Sequence, residues 1–234
     1  MNRLAVDISV ELLEKIQATF RRKFGTSRKA QSLLKKTNDG LATYVDANEF
    51  SIITGDLLAE AFAEHLSSDI LPNGRLYYNI GQKVVAPMLE NNYEIVADNA
   101  VAVQETLNEL AGIGIKGQRA DIQYERIEGI IQRLANELVY DDVAWILKEP
   151  VVNFTQAVVD DTIKKNVEFH SEAGLKAKVV RIAEANACKW CRNLQGEYDY
   201  PNVPQDVWRR HQNDKCVITY YPKKGKAQIV PGPK

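Results

Sequence analysis

Cys188, Cys191, His211 and Cys216 are the residues of this chain whose types and spacing could do chemistry. They comprise all three cysteines and one of the three histidines, gathered within 29 of 234 positions. Zinc takes thiolates and imidazoles in a tetrahedron, and a Cys-x-x-Cys turn aims two sulfurs at one ion. A His and a further Cys about twenty residues later complete the spacing of a structural site. Asp214 lies between His211 and Cys216 and leaves the ligand set open. With four Cys/His ligands closed around the ion, Asp214 is a surface residue or an acceptor behind the histidine. With Asp214 as a ligand, the site is harder and weaker. A third arrangement keeps the cysteines reduced and packed in a metal-free knuckle.

The elements that must position these residues change character near residue 175. Upstream, apolar residues recur at helical spacing. Leu12, Leu13, Ile16, Phe20 and Phe24 predict a first helix, capped by Asp7 or Ser9 and stopped by Gly25. A short basic helix begins at Thr26 or Ser27. Asp46 and Glu49 form a capping box ahead of Phe50, Ile53, Leu57, Phe62 and Leu66. Leu71-Pro72-Asn73-Gly74 is a turn, and residues 76–111 form a helix that Pro87 breaks or kinks. Asp121 starts a helix with Ile127, Ile130, Ile131, Leu134 and Leu138 inward. A short helix centred on a core Trp145 ends at Pro150, and the last long helix spans about 151–173, with Gly174 just past its end.

Downstream, the pattern turns to short strands. Residues 176–184 read as a strand, Cys188–Cys191 as a knuckle, 194–200 as a strand or hairpin arm, 204–211 as a short helix and 216–221 as a β-rich run. The fold class is therefore mainly α: a multi-helix body over 1–175, a small α+β lobe with a Cys/His knuckle over 176–221, and a basic tail over 222–234. So small a lobe has little core of its own, and a metal could supply the missing stability.

Charge divides along the same line. Residues 176–234 hold 12 Lys and Arg against 5 Asp and Glu, while the rest holds 18 against 26. A basic end on an acidic body suits contact with a polyanion or an acidic partner, or is simply a solvated surface. The N-terminus lacks the apolar core of a secretory signal, and no apolar run reaches bilayer length. Three cysteines, two of them in Cys-x-x-Cys, point to metal or free thiols in a reducing cytosol rather than to a disulfide framework.

Other groups carry less chemistry. Gly112–Gly117 lacks the Gly-Lys-Ser/Thr ending and the preceding strand of a phosphate loop. His65 and His170 sit on helices without a complementary nucleophile, as surface or satisfied core. Asp141-Asp142 and Asp160-Asp161 read as an N-cap and a solvated face. Arg209, Arg210, Lys215, Lys223, Lys224 and Lys226 are the cations that could touch nucleic acid or a partner.

The block Val179-Val180-Arg181, then Cys188-Lys189-Trp190-Cys191-Arg192-Asn193-Leu194-Gln195-Gly196-Glu197-Tyr198-Asp199-Tyr200, then Val203-Pro204, Val207-Trp208-Arg209-Arg210-His211 and Cys216 resembles the C-terminal signature of phage minor head proteins. This is the head-morphogenesis (Mu F-like) family, in its form from phages and prophages of Gram-positive bacteria. Stretches Asn153–Leu175, Glu11–Lys23 and Ser68–Pro72 are also similar, more loosely. The family pattern ends in His-x-x-Cys-x-Cys, and Asp214 stands here where the first of those cysteines falls.

The resemblance implies a non-enzymatic virion protein of few copies per phage head. It would meet the portal and capsid or scaffold proteins, assist assembly and DNA packaging or delivery, and pass through the host cytoplasm during assembly. It also implies no membrane and no small-molecule substrate; longer relatives can carry a fused toxin domain, and none is expected here. Packaged DNA is a further partner that the basic end would suit. The alternative readings are a small metal-dependent nuclease of the His-Asn-His type, with His211 activating water and the arginines holding phosphate, and a zinc-knuckle nucleic-acid binder.

Overall fold

The computed structural model describes residues 7–211 and 213–221. The chain is mainly helical and ends in a small antiparallel sheet. Helix α1 (Ile8–Thr26) is capped by Asp7, whose carboxylate accepts from the Ser9 amide at 3.1 Å. Ser27 closes that helix and caps α2 (Arg28–Asn38), and Gly40 then turns the chain at φ 68°. Helix α3 (Tyr44–His65) starts earlier than its sequence signal implies. Its capping box joins Thr43 to Asp46, so Asp46 is the third helical residue and not the cap.

A 3-10 turn at Pro72–Gly74 leads into α4 (Tyr78–Leu110), a 33-residue helix that runs through Pro87 without ending. Then come α5 (Tyr124–Asn136), α6 (Tyr140–Val143), a 3-10 turn over Ala144–Leu147, and α7 (Glu149–Glu172). Leu138 lies past the end of α5 and is exposed rather than inward, because the helix stops at Asn136. Trp145 is 46% exposed and not core, since the short turn that carries it buries Ile146 and Leu147 instead. Asp141 accepts from the Ser68 amide at 3.0 Å, fastening the start of α6 to the loop after α3.

The apolar stripes of α1, α3, α4, α5 and α7 face one another, burying Ile16, Phe50, Phe62, Leu89, Ile131 and Ile163. Each large side chain so buried contributes about 1.5–3 kcal/mol. Helices α3 and α7 approach closely at Gly55, where a Cβ would sit 2.9 Å from the Val152 Cα. Any side chain at residue 55 would push these two helices apart.

Strands β1 (Lys178–Ile182), β2 (Gly196–Asp199) and β3 (Val217–Tyr221) form a sheet in the order β2-β1-β3, both pairs antiparallel. Between β1 and β2 lies α8 (Lys189–Asn193), and a 3-10 turn at Gln205–Trp208 precedes β3. The break at residue 175 is a change of secondary structure, not of core. Val179, Val207, Ile218 and Tyr220 belong to the same apolar cluster as the helices. The lobe is therefore docked on the body rather than free-standing.

Polar bonds extend that junction. Tyr220 packs on Tyr44 at 6.2 Å between ring centroids, and its hydroxyl meets His170 Nδ1 at 2.9 Å. Tyr44 donates to Gln104, whose amide reaches Asn108 at 2.7 Å. His170 is fully buried, its Nε2 is without a hydrogen-bond partner among the described residues, and burial lowers its pKa below the ordinary 6.5. The folded chain keeps the ring neutral where the unfolded chain would protonate it. Stability from this group is intact above pH 6.5 and drains as the pH falls from there toward the lowered folded value, by up to about 1.4 kcal/mol per pH unit. Urea unfolding of the wild type at pH 7 and pH 5 should show this loss, and His170→Gln should flatten it.

Candidate metal centre

Cys188 is the N-cap of α8. That one-turn helix places Cys191 on the same side, so the two sulfurs converge as the Cys-x-x-Cys spacing implies. The chain between the 3-10 turn and β3 then returns His211 to them. His211 Nε2 lies 3.2 Å from Cys188 Sγ and 3.0 Å from Cys191 Sγ. Trp190 covers the imidazole edge-on at 5.4 Å.

Two groups of potential metal donors occur among the described residues, and Cys191 is in both. One is Cys188, Cys191 and His211; the other is Cys191, Asp214 and Cys216. The five residues singled out in the sequence thus fall into two donor groups joined at Cys191. No cysteine is in a disulfide; Cys188 is exposed, and Cys191 and Cys216 are buried. The cluster Cys188, Cys191 and His211 could hold a metal ion.

The sulfurs differ in environment. Cys188 accepts from the Cys191 amide, and that bond leads the effects holding its thiol below the usual range. Burial pushes the Cys191 thiol up to about 12, with Cys216 and Asp214 adding to the shift and Arg181 opposing it. Burial also raises Cys216. A cation at the centre would reverse the penalty on the two buried sulfurs, because thiolate is the ligating form.

Asp214 is buried beside Cys191, whose Sγ donates to its Oδ2 at 3.6 Å. Its Oδ1 accepts from the Cys216 amide at 2.8 Å, and its Oδ2 accepts from Arg181 Nη2 at 2.8 Å. Burial alone would raise this carboxyl, but Arg210, the Cys216 amide and Arg181 outweigh it and hold it below the usual carboxylate range.

Two buried guanidinium groups frame the centre. Val179 and Arg181 both point inward from β1, following the two-residue period of a strand. Arg181 is 1% exposed and donates to the carbonyls of Val207 and Arg209 as well as to Asp214, with Cys191 Sγ 3.8 Å away. Its guanidinium lies over Trp190 at 5.4 Å. Arg210 grips Asp160 of α7 with two bonds of 2.5 and 2.9 Å, reaches Asn48 of α3 at 2.9 Å and donates to the Cys216 carbonyl at 3.0 Å.

This corrects two expectations. Arg210 is not available to phosphate, because its side chain is 5% exposed and bound to Asp160. Asp160 is not on a solvated face: it is 2% exposed and the buried counter-charge that ties the lobe to the body. Arg209 is exposed and pairs with Asp206 at 3.0 Å. Lys215 is exposed too, whereas Lys223, Lys224 and Lys226 lie outside the described residues. His65 bonds Thr19 at 2.7 Å and stands apart from the centre.

Sequence reasoning missed Arg181. Its signal was the alternation Ala177, Val179, Arg181, which puts an arginine in step with the apolar face of a strand. No helix among the described residues is long and apolar enough to cross a membrane. Compared with protein-family models, with curated proteins and with solved structures, the chain has no match.

Proposed function

We propose that this chain is a minor structural protein of a bacteriophage head, associated with the portal, that assists capsid assembly and DNA packaging or delivery. In this reading its C-terminal lobe is a zinc-clipped element fastened to a helical body. One observation carries it beyond the resemblance itself. Arg181, Cys188, Cys191, Arg210, His211 and Cys216, which carry the likeness to phage minor head proteins, converge on one centre in the fold.

The donor chemistry suits zinc. Three sulfurs and an imidazole form a soft set that favours zinc over magnesium or calcium. Cys188, Cys191, His211 and Cys216 would hold the ion, and Asp214, paired with the buried Arg181, would stay behind them as an acceptor. The zinc would neutralise thiolate charge and join β1, α8 and β3 into one unit. Arg181 would balance the remaining negative charge, and Arg210 would transmit the fixation to α3 and α7.

The nuclease alternative needs an open position on the ion and a base free to act. His211 Nε2 instead faces two sulfurs, and the nearest carboxylate is held by Arg181. Purified chain mixed with the portal protein of the same phage should be retained on it and should leave plasmid intact in Mg²⁺ or Mn²⁺. Loss of retention together with nicking that His211→Ala abolishes would overturn the structural reading in favour of the nuclease.

A further inference from the structure

A second feature borders Arg210. A cleft of about 550 Å³ opens where α5, the 3-10 turn after α6, α7 and the 3-10 turn before β3 meet. Its size falls within the range of small-molecule and cofactor sites, about 300–1,000 Å³. Arg126, Arg133, Arg209, Trp145, Trp208 and Asn153 supply its chemistry, and no carboxylate lines it. We propose that this cleft binds single-stranded nucleic acid, with bases stacked on Trp145 and Trp208 and phosphates held by Arg126, Arg133 and Arg209.

Exposure makes the first argument. A tryptophan at 46% exposure forfeits much of the burial that so large a side chain can give, and Trp145 is joined in the cleft by the half-buried Trp208. Exposed indoles in an arginine-lined groove are the recurring means of binding unpaired bases, because every base has a π-face. A duplex hides those faces, so the same surface discriminates against it.

Charge makes the second. Arg133 has no carboxylate within 4 Å among the described residues, and its guanidinium rests over the Trp145 ring at 5.1 Å. Arg126 pairs with Asp161, whose side chain is 25% exposed, and Arg209 with the more open Asp206, at 3.0 Å each. The open Arg209 pair contributes about 0–1 kcal/mol and exchanges readily for phosphate. Arg210, the fourth arginine of the lining, stays locked on Asp160 and serves as the wall.

Asn153 makes the third. Its amide lines the cleft, and its Oδ1 is shielded from solvent without a hydrogen-bond donor among the described residues. That unsatisfied acceptor beside the cleft would gain from a donor brought in by a base edge. An acidic peptide would satisfy the arginines but would leave the indoles and this amide unused. The inference stands on the cleft and does not depend on a role in a phage head.

The test uses the full chain and a fluorescein-labelled oligothymidylate of about 15 nucleotides. Anisotropy should report binding that weakens as salt rises, with tighter affinity for the single strand than for duplex of equal length or for thymidine monophosphate. Base stacking should also quench tryptophan fluorescence. Trp145→Ala should weaken binding at least about fivefold, and Arg133→Glu about tenfold or more. Both residues are surface-facing, so circular dichroism and thermal midpoints should stay at wild-type values. Absence of binding to the single strand would overturn the proposal. So would equal affinity for duplex, competition by polyglutamate as strong as by unlabelled oligothymidylate, or wild-type affinity in both variants. Portal retention is a separate readout, so failure here and failure of the head-protein reading are distinguishable.

Discussion

Asp160→Ala is expected to destabilise the folded chain by about 3–5 kcal/mol, the usual cost of stripping one partner from a buried ion pair. Asp160 is 2% exposed and holds Arg210 through two hydrogen bonds. Without it the guanidinium keeps Asn48, the Cys216 carbonyl and, at 3.8 Å, the Asp214 carboxylate. None of these restores the lost charge at close range. For a chain of this size the thermal midpoint should fall by about 6–20 °C. Asp121→Ala is the control, because its pair with Lys165 is exposed and should cost about 1 kcal/mol or less.

The double change Asp160→Leu with Arg210→Met separates charge from contact. It removes both buried charges and should recover most of the loss. Its effect on geometry should differ from its effect on stability. Arg210 joins α3, α7 and the start of β3, so apolar replacements should leave the lobe docked through Tyr220 and Val207 but less firmly positioned. Hydrogen exchange at the β3 amides would register that loosening.

The second large effect concerns the metal. If the centre is filled at about a thousand times its dissociation constant, chelation should lower stability by about 4 kcal/mol. Cys191 belongs to both donor groups, whereas Cys216 belongs to one. Cys191→Ser should therefore abolish binding, while Cys216→Ser should leave a weaker three-donor site of Cys188, Cys191 and His211. Loss of the ion should first loosen the small apolar cluster of Ala183, Ala187, Trp190, Cys191 and Cys216, and Trp190 fluorescence beside His211 should report it. The helical body, with its larger core, should keep its exchange protection.

The helical body was legible in the sequence because long amphipathic segments carry a repeated signal. Of the paired cap candidates the structure keeps Asp7 over Ser9 and Ser27 over Thr26, and Gly174 stands just past α7, whereas Gly25 lies inside α1 rather than at its end. The start of α3 was misjudged because Thr43 offers the same capping chemistry three residues before Asp46. Leu138 and Trp145 look like core by type, yet Leu138 lies past the end of α5 and the buried positions of the turn that carries Trp145 are taken by Ile146 and Leu147. The donor cluster was readable from spacing because Cys-x-x-Cys is a local geometry. Its electrostatic frame was not: Arg210–Asp160 and Arg181–Asp214 join residues 50 and 33 positions apart. No local pattern encodes such partners. Only the period-two placement of Arg181 hinted that one of these charges points inward.

The account turns on whether the four Cys/His side chains share one zinc ion, and metal content measured with a native thiol count addresses that most directly. Protein purified without chelator should carry one zinc per chain. Exposed Cys188 should then resist a thiol reagent until chelation releases all three cysteines together. Protein free of zinc, in which Cys188 reacts at once and chelator changes neither thiol reactivity nor thermal midpoint, would contradict the metal clip.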